Sequence, residues 1–129
     1  MSNITWQFQA AIGGGPSFTF GQTNVAVDAY DVVTATIPNG GAATSVPIQP
    51  TATAGNVLLL LVSSSQYDPA VTYTVDALHD KHALDAPHVL AGAGAVAMLN
   101  SAASPQTLVF TNTLANDVSV QVVVGRNIK

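Results

Sequence analysis

The chain has 129 residues, of which 48% are hydrophobic and only 8% are charged, and its formal net charge at pH 7 is −4. Its three cationic side chains cannot form a basic patch, which argues against binding to nucleic acid or to an anionic membrane. Its longest apolar run, Val57 to Val62, is far shorter than the ~20 residues of a transmembrane helix. A chain of this length fits one domain.

The side chains that normally cover exposed helices are almost absent. There is no Glu, and the only cations are Lys81, Arg126 and Lys129. Ala, Val, Thr, Ser, Asn and Gly take their place, and Val and Thr favour a pleated, half-buried surface. Because no segment sustains the 3.6-residue period of an amphipathic helix, we predict an all-β domain.

The first predicted strand is amphipathic. Ile4, Trp6 and Phe8 alternate with polar residues, which is the period of a strand with one buried face. Three glycines and a proline then interrupt the pattern, and we interpret them as a hinge. The chain is therefore divided into an N-terminal strand or arm, residues 1–22, and a β-sandwich domain, residues 23–129. The arm either pairs with a neighbouring subunit or forms an ordinary edge strand of the same domain.

Further short strands follow along the chain. The predicted strands are Ser17–Phe20, Thr23–Ala29, Asp31–Ile37, Ser45–Gln49, Val57–Val62, Val71–Val75, Ala95–Leu99, Thr107–Thr111 and Val118–Val124. Pro47 confines its strand to a sheet edge or a bulge. Val57–Val62 is apolar on both faces, which indicates the central strand of the core. The least regular segment, Asp76–His88, is predicted to be a loop with room for one helical turn.

The number and spacing of these strands indicate the architecture. Together they make about eight to ten short antiparallel strands, spaced about 8–12 residues apart, with turn signals such as Asn39-Gly40 between them. This pattern is typical of a β-sandwich or a jelly roll. No linker divides the part of the chain that follows the arm.

The densest polar group of the chain lies in the irregular segment. It comprises Asp76, His79, Asp80, His82, Asp85 and His88. Imidazole and carboxylate groups bind metals, but the spacing is not the His-Glu-x-x-His of zinc proteases and no Cys is present. We therefore predict no metal site and no cofactor. We expect a polar loop at the rim of the sandwich, in contact with a neighbouring subunit through His79, His82 and His88, and a pH-sensitive interface is the alternative.

No recognisable catalytic machinery accompanies this loop. Asp31, Asp68 and Asp117 lie beside turn-forming residues, so we predict turn capping rather than glycosidase chemistry. Ser63-Ser64-Ser65 lacks the Gly-x-Ser-x-Gly setting of a nucleophile elbow. We predict that the protein is not an enzyme, and we keep an enzyme that uses the His/Asp loop as a third hypothesis.

Aromatic side chains are the main candidates for contact with a partner. Trp6 and Phe8 share a face of the first strand, and Phe18 and Phe20 share a face of the next. Such side chains anchor cores and interfaces, so we assign Ile4, Trp6 and Phe8 to an interface between subunits. The alternative is a module that binds glycans or host surfaces through loops at one end of the domain, with aromatic and Asp/Asn side chains in contact with the ligand.

The order of segments in the last three quarters of the chain carries a family resemblance. These segments are Val33–Gly41, Val46–Ile48, Val57–Ser64, Val71–Val75, His88–Gly92, Leu108–Asn112 and Asp117–Gly125. Taken together they resemble the small β-sandwich structural proteins of tailed bacteriophages, which include head decoration or cement proteins and fibre and collar modules. The resemblance implies a non-enzymatic virion subunit, a symmetric homo-oligomer such as a trimer, that sits on other virion proteins such as the major capsid protein.

These observations lead to the first functional hypothesis. We expect a structural protein, such as a capsid decoration (cement) protein, that stabilises a bacteriophage particle through subunit contacts. The many apolar residues and few charges favour a surface that partners cover. Because the first residues do not combine a basic region with an apolar core, we expect no signal peptide, assembly in the host cytoplasm and a location in the virion.

Overall fold

The computed structural model of the protein describes residues 2–48, 56–100 and 105–127. Its elements are the strands β1 (Ser2–Ala11), β2 (Ser17–Val27), β3 (Ala29–Ile37), β4 (Thr44–Pro47), β5 (Asn56–Ser64), β6 (Val71–Val75), β7 (His82–Ala83), β8 (His88–Ala91), β9 (Thr107–Asn112) and β10 (Val118–Asn127), and the helix α1 (Ala93–Val96). The prediction of an all-β chain with antiparallel sheets is confirmed. Among the described residues, no helix is both long and apolar enough to cross a membrane.

The strands form three antiparallel sheets. β1 and β2 make a two-stranded hairpin, one larger sheet has the order β3-β10-β5-β8, and the other has the order β4-β9-β6-β7. The two larger sheets share one hydrophobic core, so that the eight strands after the hairpin form a two-layered, sandwich-like body. The hairpin lies outside this core.

Alternate residues of the two larger sheets fill the space between them. In β10, Val120, Val122 and Val124 are buried, whereas Gln121 between them is exposed. Phe110 of β9, in the opposite sheet, is fully buried in the same cluster. Burial of each such side chain contributes roughly 1.5–3 kcal/mol of hydrophobic free energy, and this alternation sets which face of each strand turns outward.

Several strand predictions are confirmed. β5 has a neighbour on each side, β10 and β8, as expected for a strand that is apolar on both faces. β4 lies at the edge of its sheet and contains Pro47, which has no N–H to donate to a further strand. Gln49, at the end of the predicted Ser45–Gln49 strand, lies outside the described residues.

In the middle of the chain one strand prediction is wrong, and the prediction of a loop at Asp76–His88 is right only in part. The strand expected at Ala95–Leu99 is instead the helix α1, followed by a turn, because the Ala-rich segment favours a helix and buries only Val96. The Asp76–His88 segment has no helical turn. It forms a hydrogen-bonded turn at its start, the two-residue strand β7, and the first residue of β8.

The beginning of the chain also differs from the prediction. The separate strands Ser17–Phe20 and Thr23–Ala29 are replaced by the continuous strand β2, which ends at Val27, and β3 begins at Ala29. The glycine run forms the reverse turn between β1 and β2 rather than a hinge. The Gly15 N–H donates to the Ile12 carbonyl at 2.8 Å, and Gly14 has φ +75°, which favours glycine.

Candidate functional site

The hairpin of β1 and β2 has one apolar face and one polar face. Opposite pairs such as Phe8 with Phe20 and Ala10 with Phe18 lie on the same face, because directly paired residues of antiparallel strands point to the same side. Gln7, Gln9 and Thr19 belong to the opposite face and are exposed. The alternation predicted for the first strand therefore continues across both strands.

The base of the hairpin is anchored on the outer face of the β3-β10-β5-β8 sheet. The Ile4 side chain lies over Gly125 of β10, where a Cβ atom would be 2.7 Å from Ile4 Cδ1. Val27 and Leu59 also border this position, and Leu59 is only 3% exposed although it points away from the core between the sheets. Ile4 was predicted to lie at an interface between subunits, and within this chain its side chain contacts the body of its own domain.

A β-bulge bends the hairpin just above this anchor. The pairing shifts register between Ile4 and Trp6, so that Thr5 lies opposite two residues of β2. One of them, Asn24, has φ +57°, and its N–H donates to Thr5 Oγ1 at 3.3 Å. At Gly21, a Cβ atom would lie 2.5 Å from the Trp6 carbonyl oxygen, so only glycine fits there. Bulges increase local twist and redirect a strand, which here turns the outer part of the hairpin.

The apolar face of the hairpin is largely open to solvent. Phe8, Phe18 and Phe20 are 48%, 44% and 54% exposed, and Ile12 at the tip is 55% exposed. The Phe18 and Phe20 rings are nearly parallel, with their centroids 6.5 Å apart. Trp6, nearer the base, is half-buried, and its Nε1–H donates to Gln22 Oε1 at 3.3 Å. The apolar side chains at the anchored base are therefore less exposed than those on the outer part of the hairpin.

A line of apolar side chains crosses the outer face of the same sheet beside the hairpin. We call it the apolar row, and it consists of Val32, Val123, Leu61 and Val89, one from each strand. Val32 and Val89, at its ends, are 53% and 43% exposed. The neighbouring row on the side away from the hairpin is polar, and it consists of Thr34, Gln121 and Ser63.

Two grooves connect the hairpin to this row. The β8 groove, of about 450 Å³, lies between Phe8 and Phe20 of the hairpin and Val89 on β8. The β3 groove, of about 600 Å³, lies between Trp6 and the side chains of Tyr30, Val32, Leu61 and Val123. No side chain that lines either groove is charged.

The six polar residues predicted to lie together do not form one site. Asp76 ties its own turn to the beginning of β9: its Oδ1 accepts hydrogen bonds from the N–H groups of Gln106 and Thr107, both at 2.9 Å. Its Oδ2 accepts one from Asn100 Nδ2 at 3.0 Å. His79, Asp80 and Asp85 are exposed on the connecting loops. Among the described residues, no three His, Asp or Glu side chains are placed to share a metal ion.

The side chains of His82 and His88 both pack against Tyr73. The centroids of the two imidazole rings are 5.4 and 5.5 Å from that of the tyrosine, and the Tyr73 hydroxyl is 2.6 Å from His88 Nδ1. Burial raises the pKa of Tyr73 to about 12, so the phenol is neutral at pH 7, and the tautomer of His88 sets which of the two groups donates this hydrogen bond. Because Tyr73 belongs to β6 and His88 to β8, the bond joins the two larger sheets.

The aspartates predicted to cap turns have two different roles. Asp68 accepts a hydrogen bond from the Ala70 N–H at 2.8 Å, as expected for a residue that caps its own turn. Asp117 instead accepts one from the N–H of Asn39, in a different loop, at 2.9 Å. Asp31 instead forms an ion pair with the guanidinium of Arg126, which is buried. These three aspartates therefore make hydrogen bonds or an ion pair within the chain.

Comparison with known proteins adds no relative from which a site could be transferred. No protein-family model, curated protein or solved structure matches this chain significantly. The candidate site is therefore defined by its geometry, which is the exposed apolar face of the hairpin together with the apolar row.

The apolar row was missed because its members come from four separate strands. Its only sequence signal was the uninterrupted apolar run of β5, in which Leu60 and Val62 belong to the core whereas Leu59 and Leu61 face outward. A strand that is apolar on both faces is stable when other parts of the protein pack on each face. Here the hairpin packs on the outer face of β5 only near Leu59.

Proposed function

We propose that the protein is a non-enzymatic structural subunit that works by burying the apolar face of its hairpin in an assembly. In its specific form, the proposal is a bacteriophage virion component such as a capsid decoration (cement) protein, which forms homo-oligomers and contacts other virion proteins such as the major capsid protein. The observation that carries the proposal is the exposure of Phe8, Phe18 and Phe20 on one face of a projecting hairpin.

Elementary energetics support a partner for this face. A two-stranded hairpin is marginally stable in water by itself, and here only its base is anchored on the sheet. Burial of the exposed half of each phenylalanine ring would contribute roughly 2 kcal/mol. Exposed apolar patches with a polar rim mark sites of protein interaction, and the polar row of Thr34, Gln121 and Ser63 supplies such a rim.

The strand order supports a virion role by analogy of fold. We infer that the eight strands after the hairpin are wound as a jelly roll, because the chain passes between the two larger sheets at every connection except that from β6 to β7. Jelly rolls are common in viral capsid and lectin domains. Since one fold serves many functions, the proposal depends on the hairpin and uses the fold only as support.

Sedimentation tests this function. The chain is expressed together with the genes that flank its own, and the lysate is separated on a sucrose gradient. We expect the wild type to sediment with large particles and the triple variant Phe8→Ser/Phe18→Ser/Phe20→Ser to stay near the top. The matched control, Gln7→Ser/Gln9→Ser/Thr19→Ser, changes the polar face of the same hairpin and should sediment as the wild type. A wild-type chain that remains at the top, apart from every product of the flanking genes, contradicts the proposal.

One observation favours the second candidate, a module that binds glycans or a host surface. The rings of Phe18 and Phe20 lie within 3° of parallel and are about half exposed, so that aromatic surface is available for contact with a sugar ring. A glycan array, probed with the wild type and with Phe18→Ser/Phe20→Ser, with and without calcium, separates the two candidates. Specific binding that the variant loses would favour the glycan module.

A further inference from the structure

A small cavity lies at the base of the hairpin, between the hairpin and β5. Its volume is about 110 Å³, and its lining includes Ile4 and Trp6 of β1, Gln22 and Val25 of β2, and Leu58 and Leu59 of β5. We propose that this base cavity binds a small uncharged apolar molecule of about the size of a benzene ring, or the apolar end of a longer molecule. The site goes beyond the proposed function, because the three exposed phenylalanines of the hairpin do not line it.

On the hairpin side, the base cavity lies at the β-bulge. Ile4 pairs with Val25 on one side of the register shift, and Trp6 pairs with Gln22 on the other side. All four residues line the cavity. A bulge inserts extra residues between two pairs that would otherwise be close neighbours, so the strand pairing itself creates the space between these side chains.

A second bulge lies on the facing sheet. The pairing of β5 with β10 shifts register at Leu58, which is an extra residue between the paired residues Val57 and Leu59. Leu58 and Leu59 both line the cavity, although successive residues of a regular strand point to opposite faces. The bulge therefore turns a second leucine towards the cavity. Bulges occur often beside active sites, where they redirect a side chain.

The walls of the base cavity are held by specific contacts. The Trp6 Nε1–H donates to Gln22 Oε1 at 3.3 Å, which orients the indole ring. Ile4 packs over Gly125, and the N–H of Gly92, which also lines the cavity, donates to the Leu58 carbonyl oxygen at 2.7 Å. The cavity is therefore preformed, as ligand sites for small molecules usually are.

The lining selects an apolar ligand. None of the described residues that line the cavity is charged, so a charged group would lose its hydration there without an opposite charge to compensate. The two hydrogen bonds of the walls pair polar groups of the lining with each other. A water molecule needs two to four polar partners in such a place, and cavities lined by apolar side chains take apolar ligands instead.

The volume sets the size of the ligand. An engineered apolar cavity of about 150 Å³ binds benzene, and the base cavity is only somewhat smaller. Gln22 and Gly92, at its mouth, are exposed, and a Cβ atom on Gly92 would meet no atom within 4 Å. One edge of a benzene-sized group can therefore extend into the mouth. A longer molecule can insert its apolar end and keep the remainder in solvent.

An NMR titration of the purified chain tests this site. Trp6 is the only tryptophan, so its indole N–H gives a single signal in the spectrum of the isotope-labelled protein. The probes are benzene, hexanol as the apolar end of a chain, and benzoate as the charged control. We expect benzene and hexanol to shift the Trp6 signal saturably, with dissociation constants of about 1 mM or lower, and to raise the melting temperature. Benzoate should do neither.

Variants locate the bound probe. Val25→Phe places a ring in the cavity and should weaken benzene binding by roughly tenfold or more. Ala26→Leu, at the exposed next position on the opposite face of β2, is the matched control and should bind as the wild type. Circular dichroism verifies the fold of each protein. Leu58→Ala is a second test that does not depend on Val25→Phe, because the enlarged cavity should bind para-xylene more tightly than the wild type does.

Three results would overturn the inference. The first is a Trp6 signal that responds to neither benzene nor hexanol up to about 10 mM. The second is benzene binding that a folded Val25→Phe variant retains in full. The third is binding that Phe18→Ser/Phe20→Ser abolishes, because the probe then lies on the exposed face of the hairpin. A response to benzene alone supports a free ring as the ligand, and a response to hexanol alone supports the end of a longer chain.

Discussion

Ile4 of the hairpin lies directly over Gly125 of β10, at a place where a Cβ atom on residue 125 would force the end of the Ile4 side chain to move. A Cβ atom there would be 2.7 Å from Ile4 Cδ1 and 3.3 Å from Val27 Cγ1. The absence of a side chain at Gly125 therefore lets Ile4, and with it the base of the hairpin, pack on β10. The candidate site depends on this contact, because it sets where the hairpin leaves the sheet.

The first prediction concerns the contact between Ile4 and Gly125. Gly125→Ala should lower the free energy of unfolding by about 1 kcal/mol or less and increase proteolysis of the hairpin, because the added methyl group displaces the Cδ1 end of the Ile4 side chain. In an Ile4→Val background, which lacks Cδ1, the same substitution should cost less. Urea denaturation of the four proteins gives the coupling energy. Equal costs in the two backgrounds would show that Ile4 is not the group that Gly125 accommodates.

The second prediction concerns the carboxylate that joins the end of β6 to the beginning of β9. Asp76→Ala should destabilise the protein by about 2–4 kcal/mol, because two backbone N–H groups lose their acceptor and Ala is strained at φ +53°. Asp76→Asn keeps an acceptor and tolerates this φ, so it should cost clearly less. Asp80→Ala, at an exposed position of the same segment, is the control and should stay within about 0.5 kcal/mol of the wild type.

The third prediction follows from the buried phenol. The pKa of Tyr73 is raised from 10.0 to about 12, so the unfolded chain loses this proton at a lower pH than the folded one. Below pH 10 this group does not change the free energy of unfolding with pH. As the pH rises from 10 towards 12, the free energy of unfolding falls by up to about 1.4 kcal/mol for each pH unit. Tyr73→Phe should cost about 1 kcal/mol at pH 7, through loss of the bond to His88, and should lack this alkaline component. Parallel stability curves for the two proteins between pH 10 and 12 would contradict the assignment.

The fourth prediction concerns Asn112, which is fully buried. Its Nδ2 group donates to the carbonyl oxygens of Ile37 at 3.2 Å and Asn116 at 2.8 Å, and its Oδ1 accepts from the Leu114 N–H at 2.9 Å. Asn112→Ala should lower the melting temperature and cost about 2–3 kcal/mol, because these groups lose their partner inside the protein. Thr113→Ala, at the exposed neighbouring position, should cost less than about 0.5 kcal/mol in the same thermal scan.

The sequence predicted most strands because their signal is local. The alternation in Val118–Val124 appears in one segment, and it defines both a strand and its buried face. The predictions were wrong where a local signal was ambiguous. The Ala-rich segment around Val96 permits a strand or a helix, and the glycine run permits a hinge or a turn.

The candidate site was only partly predictable for a different reason. Ile4, Trp6 and Phe8 were assigned to an interface from their alternation alone. Trp6 and Phe8 do line the grooves beside the hairpin, whereas the Ile4 side chain packs over Gly125 at the base of the hairpin. Their role between subunits stays a prediction, as does that of His79. His82 and His88 were grouped with it by proximity in sequence, but the fold packs their rings against Tyr73.

The amino-acid sequence by itself determined that this protein is an all-β domain with few charges and an amphipathic first strand. Composition and a period of two are properties of neighbouring residues, so they can be recognised without the fold. Only the tertiary structure decided that the strand after the glycine turn folds back to form a hairpin, that Gly125 receives Ile4, and that four strands contribute one residue each to the apolar row. Those relations join residues far apart in the chain, and they are settled by strand pairing and register, which no local pattern encodes.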